Sequence, residues 1–65
     1  MAFQVRDRVK MTPNLQTWID NQDLKDEVGE VTNVFEDAFG VVRIDVIYRH
    51  GKRFLGMEPS QFEAA

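Results

Sequence analysis

The chain has no cysteine, which excludes disulfides and any thiolate zinc site. It has one histidine, His50, and one tryptophan, Trp18. Two prolines and four glycines are too few for a proline-rich or glycine-rich tract, and there is no internal repeat. No apolar run approaches the ~18 residues of a membrane-spanning helix, and no basic segment followed by an apolar one marks an export leader. These absences point to a soluble cytoplasmic protein with no membrane partner. What remains is a globular composition: 65 residues, 43% hydrophobic, 29% charged and 11% aromatic. That is one domain with no room for a second.

Size poses the first physical problem. A chain this short buries only roughly 60% of the surface its unfolded form exposes. With no disulfide, stability comes either from very efficient packing or from burial against another molecule. A homo-oligomer or a protein partner is therefore expected.

The pattern along the chain is mostly that of strands. Phe3 to Met11 alternates, with Phe3, Val5, Val9 and Met11 on one side and Gln4, Arg6, Arg8 and Lys10 on the other, and Asp7 marks a bend. Thr12-Pro13 stops this strand and is suited to cap a helix, and Leu15, Trp18 and Ile19 follow at helical spacing. A short helix is expected near Pro13 to Asp20, then a polar loop from Asn21 to Glu27. Val28 to Phe35 and Val41 to Tyr48 read as strands joined by an acidic turn ending in Gly40. His50-Gly51 signals a tight hairpin. Arg53 to Met57 is its return strand, with a bulge at Gly56. Glu58-Pro59-Ser60-Gln61 reads as one helical turn before a last strand, Phe62-Glu63-Ala64. The expected core is Val5, Val9, Val31, Val34, Val42, Ile44, Val46, Phe54 and Phe62.

This order resembles a small SH3-like barrel. The residues that carry the resemblance are Asp7-Arg8-Val9-Lys10-Met11, Gly29-Glu30-Val31, the hairpin at His50-Gly51, and Glu58-Pro59-Ser60-Gln61-Phe62. The resemblance covers nearly the whole chain and implies an all-β, five-stranded SH3-like barrel with a helical turn in its first long loop. KOW-type domains and the plasmid-encoded barrel dihydrofolate reductases share this layout. Trp18 lies in the first loop and not at the start of a central strand, so binding of proline-rich peptides does not carry over. Val46-Ile47-Tyr48 only partly matches the reductases' pore phrase, so that activity does not carry over either. A fold of this kind hosts many functions.

Charge is uneven beneath a net of −3. Between Asp20 and Asp37 seven acids stand against Lys25 alone, whereas Arg43, Arg49, Lys52 and Arg53 stand against only Asp45. Such polarity suits head-to-tail docking or a partner of opposite sign. The candidate interface residues are Trp18, Phe39, Tyr48, Arg49, His50, Lys52 and Arg53. Trp18 is read either as a lid on the core or as an aromatic anchor for a partner. A nucleic-acid-binding barrel is the first rival: the basic hairpin with Tyr48 and Phe54 beside it fits phosphates and a stacked base. An acidic pI near 4.9 speaks against it. The second rival is an oligomeric small-molecule-binding protein or enzyme with its site between subunits. No catalytic, metal or cofactor motif is present: Ser60 has no nucleophile context, and Asp20, Asp23 and Asp26 lack the spacing and glycine of a calcium loop. The sequence thus points to a non-catalytic binding or assembly module.

Overall fold

The computed structural model describes residues 3–65. The chain is all-β: β1 (Arg8–Met11), β2 (Gly29–Glu36), β3 (Val42–Ile47), β4 (Arg53–Met57) and β5 (Phe62–Ala64) form one sheet in the order β4-β3-β2-β1-β5. All its pairings are antiparallel. Among the described residues helical structure is limited to α1 (Gln16–Asp20) and short 3₁₀ turns at Gln22–Leu24, Arg49–Gly51 and Pro59–Gln61. No described helix is long and apolar enough to cross a membrane.

The two outer strands, β4 and β5, would stand about 19 Å apart in a flat sheet with ~4.8 Å between neighbours. Instead Phe54 of β4 and Phe62 of β5 meet edge to face, with ring centroids 6.2 Å apart. The sheet is therefore curled around a shared core. Among the described residues its ladder is open, ending at β4 and β5, so the barrel expected from the sequence is present as a curled sheet.

Val9, Met11, Val31, Ile44, Val46, Tyr48 and Phe62 are buried, and Val34 and Phe54 pack against them half-buried. Two expected core residues are not in it. Val5 is 52% exposed because β1 begins only at Arg8: Gln4 to Asp7 form a turn in which Asp7 N–H donates to Gln4 O and Arg6 has φ 79°. Val42 is 39% exposed. It shares a face with Ile44 and Val46 but lies at the end of β3, where β2 pairs with β3 alone and β1 no longer flanks them. Gly29 lets Tyr48 into the core: a Cβ there would lie 2.8 Å from Val46 Cγ1 and 2.9 Å from Tyr48 Cε1.

The helix is shorter than its pattern suggests. Asn14 takes φ 69°, which breaks the run after Pro13, so the helix starts at Gln16 with Leu15 and not Thr12 at its N-cap. α1 is tied down by Thr17 N–H donating to Gln61 Oε1 at 3.1 Å.

Two irregularities shape the outer face of β2, β3 and β4. Ile44 pairs with Met57 and Val46 with Phe54, so β4 holds one residue more than β3 over this stretch. The expected bulge at Gly56 is there, with φ 62°, and Asp45 Oδ1 accepts the Gly56 N–H at 2.8 Å. A second slip falls in β2 between Val31 and Asn33.

Candidate protein-contact surface

The turn between β2 and β3 is held by one side chain. Asp37 Oδ1 accepts the N–H groups of Phe39 at 2.8 Å and Val41 at 3.0 Å, and its Oδ2 accepts Arg43 Nε at 3.2 Å. The Val41 amide, then the Phe39 amide, with Arg43 adding to them, hold the Asp37 carboxyl below its ordinary value of 3.8. This rigid turn displays Phe39, 91% exposed, with Phe35, Val41 and Val42 exposed beside it.

At the opposite end of β3 lies the basic turn. Three residues, Arg49–Gly51, link the strands where two were expected, closed by Tyr48 N–H donating to Lys52 O at 2.7 Å. His50 and Gly51 both take positive φ, 64° and 80°, which suits Gly at the second position. Arg49, His50, Lys52 and Arg53 are all exposed. Among the described residues none of these side chains makes an ion pair.

Tyr48 is corrected as an interface residue: it is 3% exposed and meets Phe54 edge to face at 5.6 Å between centroids. Its hydroxyl is buried with no hydrogen-bond partner among the described residues. Burial, with the Glu27 charge adding to it, pushes its pKa up from 10.0 to about 12. Phe54 is also occupied, packed on Tyr48 and Phe62 with Lys52 Nζ 5.6 Å from its ring centre. The two aromatics beside the basic turn therefore present no open pair of faces for stacking bases.

Trp18 is half-buried against the core, as a lid would be. With Lys10, Met11, Pro13, Lys25 and Asp26 it lines a cavity of about 350 Å³. Lys10 there is paired with Glu63 at 3.5 Å. Asp20, Asp23 and Asp26 fall on α1, on the following 3₁₀ turn and beyond it. No cluster of three or more potential metal ligands occurs among the described residues.

The register also relocates the charge. Glu30 pairs with Ile47, and Ile47 with Arg53, so the acidic 20–30 segment and the basic turn leave the sheet at the same end. The other two acids of the 20–37 stretch, Glu36 and Asp37, lie at the opposite end of β2, where Asp37 is paired with Arg43.

Sequence reasoning passed over Leu55. It is 68% exposed and, with Thr32, Asp45, Ile47 and Arg53, borders a depression of about 290 Å³ on the outer face of β2, β3 and β4. Its position next to the inward Phe54 was the available signal, since neighbours on a strand face opposite ways. No protein-family model matches this chain. Comparison with curated proteins and with solved structures likewise gave no match.

Proposed function

We propose that this chain is a non-catalytic binding module that acts through protein–protein contacts and assembles with copies of itself. The observation that carries the reading is where its exposed apolar side chains fall. The two most exposed large ones, Phe39 and Leu55, are both in the β2-β3-β4 half, which also carries the exposed Phe35, Val41 and Val42 about the β2–β3 turn. Exposed apolar residues scattered singly are ordinary, but a grouped set marks a contact surface. A chain with so small a core gains more than most from covering it.

Sedimentation of the purified chain at low and high salt tests the proposal. A mass of two or more chains is the expected result. An assembly that persists in high salt places its contact on the apolar side chains, and one that dissociates places it on charge pairs. A single-chain mass at every concentration and salt overturns self-association.

A further inference from the structure

This inference rests on the self-association just proposed and names the face and register through which it occurs. Two adjacent rows cross the three strands. Val31, Val46 and Phe54 pair in register and face the core. The next row, Glu30, Ile47 and Arg53, is also in register and, by alternation, faces outward. Glu30 and Arg53 are exposed and Ile47 is half-buried.

The outward face carries four charged side chains, of which Arg43 is ion-paired and Asp45 is hydrogen-bonded within the chain. Arg43 is held by Asp37 at 3.2 Å and Glu58 at 3.9 Å. Asp45 is turned toward β4, where it accepts the Gly56 N–H. Glu30 and Arg53 have no ion-pair partner among the described residues. They flank Ile47, about 10 Å apart across two strand spacings. Asp45 keeps its own charge, directed at the Gly56 N–H on the β4 side of β3, and the row that crosses the three strands is a line: minus, apolar, plus.

A line of that kind is complementary to itself. Turned face to face about a two-fold axis parallel to the strands, it meets its own copy with the signs reversed. We propose that the outer face of β2, β3 and β4 packs on the same face of a second copy of this chain. Ile47 lies against the partner's Ile47, and Glu30 of each copy pairs with the partner's Arg53. The same rotation sets Leu55 over the partner's Thr32, at the rim of the partner's depression. A foreign partner has no built-in reason to carry this line in reverse, whereas a second copy carries it by symmetry.

Charge-swap variants test the arrangement. Glu30→Arg and Arg53→Glu change exposed side chains, and circular dichroism checks that each stays folded. By sedimentation, each single variant is expected to be monomeric where the wild type is dimeric, with association weakened at least about tenfold by the like charges opposed. An equimolar mixture of the two is expected to regain the dimer mass, because one supplies two positive ends and the other two negative ends. The double variant is expected to dimerise alone. If the wild type associates and both single variants keep its mass, this face is not the contact and the inference fails, while self-association stands. Loss of association only in Phe39→Ser would likewise overturn it by moving the contact to the β2–β3 turn. A wild type that is monomeric throughout overturns the self-association reading as well.

Discussion

Tyr48 is the residue on which the core's polarity turns. Its ring fills the space that Gly29 leaves, yet its hydroxyl is buried without a partner among the described residues. A buried unpaired hydroxyl costs about 1–3 kcal/mol in lost hydration, and an apolar replacement of the same shape avoids that cost. Tyr48→Phe is therefore expected to be neutral or to gain about 1 kcal/mol in urea unfolding. The variant also carries a pH signature. The folded chain keeps the tyrosine proton to about pH 12, while the unfolded chain releases it near 10.0. Between those values the folded state binds more protons, so stability falls as pH rises, by at most ~1.4 kcal/mol per unit. Unfolding of the wild type followed from pH 9 to 12 is expected to show this loss relative to Tyr48→Phe, and parallel curves would contradict it. The alternation of β3 already put Tyr48 on the face of Ile44 and Val46. What it did not convey was depth: on one face of one strand Val42 is exposed and Tyr48 buried, because only Tyr48 lies where Gly29 and Phe54 close over it.

Among the elements, the β2–β3 turn depends most on a single side chain. Asp37 gathers two backbone amides and a guanidinium, and its lowered pKa follows from them. A carboxyl held this way stabilises the fold above its ordinary value of 3.8 and loses that contribution as pH falls below it. Asp37→Ala is expected to raise amide exchange at Phe39 and Val41 toward unprotected rates while the β1–β5 ladder stays protected, and unchanged exchange at these amides would refute the turn's dependence on Asp37. Most elements were legible in the sequence. The bounds of β4 and β5, the Gly56 bulge and the Pro59–Gln61 turn follow from alternation and from the placing of glycine and proline. The start of α1 was not legible, because Asn14 adopts a left-handed conformation that no spacing announces. The first strand was overextended for a similar reason: Arg6 turns the chain while the alternation runs on through Val5. The proposed contact face was half legible. Ile47 could be read as outward, but only the register aligns it with Glu30 and Arg53.

For the molecule as a whole, the basic turn and the acidic 20–30 segment share one end, and the β2–β3 turn with Phe39 stands at the other. In the proposed self-association folded copies bind one another and unfolded chains do not, so assembly would raise apparent stability with concentration. Melting temperature is expected to climb by several degrees between micromolar and near-millimolar chain, and to climb less in Glu30→Arg; a melting temperature independent of concentration would contradict assembly. The bulge at Gly56 has a consequence of another kind. β4 is one rim of the sheet, and a rim strand with free backbone groups is a template on which other chains add sideways without limit. Here the extra residue bends that rim, and the opposite rim, β5, is only three residues long. Neither offers a straight run of amides and carbonyls to an incoming strand. Lateral growth into fibres is discouraged at both borders, which leaves the proposed face-to-face pairing as the way in which copies meet without propagating.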